Sequence, residues 1–215
     1  MCIRDSHNDG DGSFTYRSLE TGLGMLSSGS SGWGVGLEDF DNDGWKDLFV
    51  AQGHVLDNVE QIDPSLHYLE PPLVAMNRNG RFERAESGST TPAAARGAAF
   101  GDLNNDGWQD VVVTTLGGHP QVFFNHGGTL HWLAITLRGT RSNRDGFGAR
   151  VQVNGQTRFA TSSGSYLSAS DKRLHFGLGR AEKAKVEISW PSGIHQTLND
   201  VHADQFLEVR EPEKP

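Results

Sequence analysis

Asp39-Phe-Asp-Asn-Asp-Gly-Trp-Lys-Asp47 puts four carboxylates into nine residues, at positions 1, 3, 5 and 9 of a D-x-D-x-D-G-x-x-D frame. Acids this close repel one another unless a cation sits among them. Gly44 at position 6 lets the chain turn sharply, having no Cβ to clash at positive φ. Trp45 at position 7 can turn its backbone carbonyl inward. Asp39, Asp41, Asp43, the Trp45 carbonyl and Asp47 then surround one point with oxygen. Calcium suits such a set, because it is a hard cation that takes about six to eight oxygens in a tolerant geometry.

The frame returns at Asp102-Leu-Asn-Asn-Asp-Gly-Trp-Gln-Asp110. The second ligand set is Asp102, Asn104, Asp106, the Trp108 carbonyl and Asp110. Asn104 replaces an acid at position 3, so it can still offer a carbonyl but brings one negative charge fewer. Residues 33–50 and 96–113 share eight identities in eighteen aligned positions, which marks an internal repeat.

The elements holding the loops are expected to be strands. An EF-hand would need a Glu at position 12 and flanking helices, but position 12 is Val50 in one copy and Val113 in the other. Leu48-Phe-Val-Ala51 and Val111-Val-Val-Thr114 follow the loops and read as short buried strands. Gly34-Val-Gly-Leu37 and Gly97-Ala-Ala-Phe100 precede them and are too rich in glycine for helices. Small residues there imply a strand crowded against other backbone. Strand, acidic loop, strand, repeated at this spacing, resembles the FG-GAP/VCBS repeats of integrin-like β-propellers. The resemblance covers roughly residues 1–128. It implies calcium-binding loops between the strands of propeller blades.

The second half reads as a separate small β-sandwich over residues 129–211, with 212–215 as a tail. Leu133, Ile135 and Leu137 alternate with their neighbours, as do Val151 and Val153, and Val186, Ile188 and Trp190. Asn154-Gly155, Pro191-Ser-Gly193 and Asn199-Asp200 divide about seven short strands. Three pieces stand out: Gly139–Arg150, Ser163–Ser170 with Leu174-His-Phe-Gly-Leu-Gly179, and Ile188-Ser-Trp-Pro-Ser-Gly193. Together they resemble the ASPIC/UnbV domain, which follows such propellers in bacterial secreted proteins and in the cartilage acidic protein family. The expected class is all-β: about two blades with calcium loops, then the sandwich. Closed propellers have about four to eight blades, so an N-terminally truncated fragment is expected. The opening Met-Cys-Ile-Arg-Asp-Ser runs straight into a mid-repeat turn, Asn8–Phe14, which supports that reading.

Charge and motifs narrow the function. The chain has 19 Lys and Arg against 27 Asp and Glu, a net charge of −8. Nucleic acid needs a basic face and is not expected as a partner. Cys2 is the single cysteine, which excludes an internal disulfide. No stretch reaches transmembrane length, and no export signal is visible in this sequence. There is no G-x-S-x-G, H-E-x-x-H, P-loop or C-x-x-C. The expected function is therefore a calcium-stabilised extracellular, periplasmic or cell-surface binding or adhesion module, and not an enzyme. The alternative is the accessory part of a secreted enzyme whose catalytic residues lie upstream. Two features could meet a glycan or protein ligand. One is the long excursion Gly53–Pro72, with His54, His67 and Tyr68. The other is the charged turn of Arg141, Arg144 and Asp145, which could grip an anionic glycan or simply fix its hairpin.

Overall fold

The computed structural model describes residues 6–85 and 91–213. Cys2, the opening segment and the last two residues of the tail lie outside them. The chain is all-β, as the alternating patterns imply. The helices α1 (Leu23–Leu26) and α2 (Val59–Ile62) are single turns.

The first half opens with a hairpin of β1 (Ser6–Asn8) and β2 (Phe14–Tyr16). Next comes a four-stranded antiparallel meander, β3 (Gly32–Glu38), β4 (Asp47–Gln52), β5 (Leu73–Arg78) and β6 (Arg81–Arg84). A three-stranded sheet follows, β7 (Ala95–Gly101), β8 (Asp110–Thr115) and β9 (Gln121–Phe123). These two sheets pack face to face as successive blades. Phe49, Ala51, Ala98, Phe100 and Val113 form their shared core, with the Phe49 and Phe100 rings edge-on at 5.9 Å. The small residues of β3 have their cause here. A Cβ on Gly34 would lie 2.4 Å from the Ala98 nitrogen, so only glycine lets β3 approach β7.

The second half is a two-layer sandwich. One sheet has the order β13 (Leu174–Gly179), β10 (His131–Arg138), β16 (Gln205–Arg210). Its β10–β16 pair is parallel. The other is antiparallel, in the order β12 (Gln156–Phe159), β11 (Arg150–Val153), β14 (Lys183–Ser189), β15 (His195–His202). Leu133, Ile135, Val151, Val153, Phe176, Val186, Ile188 and Trp190 fill the space between the sheets. The alternation read from the sequence is the pattern that faces this core.

A buried carboxylate ties the sandwich's two ends together. Glu211, 1 % exposed, accepts hydrogen bonds from the backbone N–H groups of Thr140, Arg141 and Ser142 at 2.8–2.9 Å. It also accepts from the Ser142 and Ser192 hydroxyls. The Gly139–Arg150 and Ile188–Gly193 motifs thus meet on one acid. The turn's N–H groups hold the chain's own carboxylate, so the turn fixes the hairpin. Arg144 and Lys172 pair with Asp145 nearby, at 3.5 and 3.1 Å. Burial opposes the Glu211 charge, but the donors from Ser142, Ser192, Thr140 and Arg141 outweigh it and pull its pKa down to about 2. That pKa is depressed from 4.5, so the stabilisation is present above pH 4.5 and is lost as pH falls toward 2. Glu211→Ala strands three N–H groups and is expected to cost about 3 kcal/mol in urea denaturation at pH 7. A loss below about 0.5 kcal/mol would refute the latch.

Candidate metal centre

Each acidic loop joins the first strand of a sheet to the second: 39–47 links β3 to β4, and 102–110 links β7 to β8. Both loops turn the same way. Asn42 and Asn105, at position 4, are left-handed with φ of 58° and 60°. Gly44 and Gly107, at position 6, have φ of 94° and 88°, which is the conformation the glycine was expected to supply.

Position 1 organises the turn. Asp39 accepts from the N–H of Asp43 at 3.1 Å and of Gly44 at 2.9 Å. Asp102 accepts from Asp106 and Gly107 in the same way, at 3.1 and 2.7 Å. Position 9 closes it. Asp47 spends one oxygen on the Phe40 N–H and the other on the Asn77 N–H of β5, at 2.9 and 2.8 Å. Asp110 repeats this with Leu103 and Asn125, at 2.9 and 2.8 Å. A partner for position 9 was missed from sequence alone. Its signal was legible as Val74-Ala-Met-Asn77-x-x-Gly80 against Val122-Phe-Phe-Asn125-x-x-Gly128.

In the first loop, Asp39, Asp41 and Asp43 bring carboxylate oxygens within 4.8 Å of one another. Asp47, the first residue of β4, is held between the Phe40 N–H of the loop and the Asn77 N–H of β5. Asp41 Oδ1 is buried without a hydrogen-bond partner. Burial, with Asp43, Asp47 and Asp41 close by, pushes the Asp39 carboxyl up to about 7, against the bond from Gly44. Burial likewise raises Asp47 to about 6 and moves Asp43 upward. The nearest positive charge is Arg78, 2.7 Å from Asp41 and 3.6 Å from Asp43. Half-exposed, it screens the trio's outer side. An orphaned buried oxygen among mutually repelling acids fits a hard cation.

The second loop is less strained. The Asn104 amide donates to Asp106 at 2.8 Å, so the position 3 substitution relieves repulsion inside the turn. Burial, first among the causes, pushes the Asp110 carboxyl upward. Trp45 is half-exposed, whereas Trp108 is buried against Gly127 and Gly128.

The sandwich reads both loops. Asn42 donates its amide to the Gly107 carbonyl of the other loop, at 3.2 Å, and faces His175 Nε2 at 2.7 Å. The Gly179 N–H donates to the Asn42 carbonyl at 2.8 Å. Arg173 donates to Asn105 Oδ1 and to the Asp102 carbonyl, both at 2.6 Å. Residues 163–171 then run along the free edges of β3 and β7. The Val35 N–H donates to Ser165 Oγ at 2.7 Å and the Phe100 N–H to Ser170 Oγ at 3.1 Å. This role for the Ser163–Gly179 motifs was not visible in the sequence, because it depends on which backbone groups the propeller leaves open.

No helix among the described residues is long and apolar enough to cross a membrane. Residues 70–113 match the FG-GAP-like repeat, and residues 139–215 match the family described as ASPIC and UnbV. Cartilage acidic protein 1 of Mus musculus is 24% identical over 96% of this chain and 41% of its own length. The Homo sapiens protein is 25% identical over 81% of this chain and 27% of its own. Integrin alpha-7 of Mus musculus is 30% identical over 49% of this chain and 9% of its own length. The chain therefore spans well under half of these relatives. The chain thus carries an FG-GAP-like repeat followed by an ASPIC/UnbV domain, and it is similar to cartilage acidic protein 1 along most of its length.

Proposed function

We propose that this chain is a calcium-stabilised extracellular or cell-surface binding module of adhesion type, with structural cation sites in its two acidic loops. The observation that carries the metal part is the Asp39, Asp41 and Asp43 trio around the orphaned Asp41 oxygen. The similarity to integrin alpha-7 and cartilage acidic protein 1 supports the adhesion-type reading. Calcium would be held by Asp39, Asp41, Asp43, the Trp45 carbonyl and Asp47, and by Asp102, Asn104, Asp106, the Trp108 carbonyl and Asp110. It would supply positive charge, holding each turn to its two strands. The loop acids are committed to that task, which favours binding over catalysis.

Calcium titration calorimetry tests the sites. Two sites are expected, in the range of about 10⁻⁴–10⁻³ M typical of extracellular modules. The second loop should be the weaker, having one carboxylate fewer. Asp43→Ala and Asp106→Ala should each remove one site and leave the other. A single variant that abolishes both, or a wild-type protein that binds none, rules the assignment out.

A further inference from the structure

Where blades and sandwich meet, they enclose a cleft of about 460 Å³ between β3, loop 39–47, β12 and residues 161–175. Clefts of this size between domains are common ligand sites. The two halves are fixed across it. Arg158 of β12 forms an ion pair with Glu38 of β3 at 2.7 Å, both largely buried.

The charges lining the cleft do not cancel. Arg173 pairs with Asp171, and Lys172 with Asp145. Arg158 gives one N–H to Glu38. A guanidinium has five, and the Arg158 Nε is buried with no partner. Lys46, at position 8 of the first loop, is half-buried. Among the described residues its amine makes no hydrogen bond or ion pair; it is desolvated by burial, and Arg158, Glu38 and Asp39 are the charges that act on it. A chain of net charge −8 thus keeps an unspent ammonium and an underused guanidinium in the lining of one polar cleft. Such a pair suits a carboxylate or sulfate.

The rest of the cleft suits a sugar. Thr157, Ser163 and Ser165 line one wall with hydroxyls. Phe159 is 59% exposed at the rim and offers an aromatic face for the apolar C–H side of a pyranose ring. His175 contributes an acceptor. Asn42 Nδ2 is committed to Gly107, so Asn42 Oδ1 takes the His175 Nε2 proton. His175 Nδ1 then carries a lone pair that finds no partner.

We propose that this cleft binds an acidic saccharide, with its carboxylate or sulfate against Lys46 and Arg158 and its ring over Phe159. The proposal names a ligand class for the binding module and rests on that reading. Calorimetry on the full chain in calcium tests it with four probes: an unsulfated chondroitin disaccharide, its 4-sulfated form, lactose and sodium sulfate. Either or both acidic disaccharides should bind, more weakly as salt rises; which of them binds identifies the anion. Lactose and sulfate alone should bind far less. Lys46→Gln and Phe159→Ala should each weaken binding by about tenfold or more. Lys183→Gln, on the exposed face of β14, should not. Calcium affinity, measured on the same samples, should stay unchanged in Phe159→Ala, which lies outside the loops. Phe159 is exposed, so its variant keeps the test valid if Lys46→Gln folds poorly. Binding of sulfate as tight as that of the disaccharides overturns the saccharide. Disaccharide binding indifferent to both variants overturns the cleft while leaving a binding module. No disaccharide binding overturns the proposal, and calcium titration then decides the module separately.

Discussion

At pH 7.5 the protein is expected to melt about 5–10 °C higher in calcium at roughly ten times the dissociation constant than in EDTA. Each filled site adds about 1.4 kcal/mol. For a chain of this size 1 kcal/mol moves the melting temperature by about 2–4 °C. The pH dependence is the more specific result. Without metal, the folded Asp39 carboxyl titrates near 7, against 3.8 when unfolded. Between those values the folded state holds a proton that the unfolded state has released. The metal-free protein must therefore lose stability as pH rises from about 4 to about 7, by up to about 4 kcal/mol for Asp39. Asp47, pushed to about 6, works in the same direction. Calcium needs the ionised acids, so its benefit should be small at pH 5, grow through this window and level off above 7. Glu211 has the opposite sign, but it acts below pH 4.5 and does not overlap. Melting curves in calcium and in EDTA, taken from pH 5 to 8, would show a widening gap. A gap that stays constant across the range would mean that no cation replaces those protons.

What could be read from the residues was local. The D-x-D-x-D-G-x-x-D spacing specifies a turn whose glycine, asparagine and position 1 acid each have one backbone task, and all three tasks appear in both loops. Alternation in β10, β11 and β14 likewise needs only the two-residue period of a strand. Contacts distant in sequence were hidden. Nothing around Glu211 announces an anion that Thr140, Arg141 and Ser142 will grip some seventy residues away. Leu174-His-Phe-Gly-Leu-Gly179 reads as a buried strand with an odd histidine. Its glycine and histidine make sense only against Asn42, more than a hundred and thirty residues earlier. Position 9 was placed by its spacing in the frame. Its bond from the Asn77 N–H could not be read there, because it exists only once β5 lies beside β4.

Gly177→Ala is expected to separate the two halves of the molecule. A Cβ at residue 177 would stand 2.0 Å from Asp39 Oδ2 and 2.6 Å from the Asn42 Cα. The carboxylate could swing aside, but the Asn42 backbone cannot. Asn42 is left-handed and buried, its carbonyl accepts from the Gly179 N–H, and its side chain is held by Gly107 and His175. The sandwich must then lift off the first loop, which exposes the His175–Asn42 bond and the Arg158–Glu38 pair together. Overpacking of this kind costs about 1–3 kcal/mol where neighbours can yield; here it should exceed about 4 kcal/mol. The sandwich keeps its own core of Leu133, Val151, Phe176 and Val186, so it should stay folded. Calorimetry should therefore show two melting transitions in place of one, with the lower belonging to the blades. Calcium binding to the first loop should weaken in the same variant, because Asp39 is pushed from its place, while the second site changes less. Gly155→Ala is the control. It lies in a turn of the sandwich, with open space where the methyl would go, and should cost only about 1 kcal/mol for its positive φ. If Gly177→Ala melts in a single transition within a degree or two of that control, loop 39–47 does not seat the sandwich.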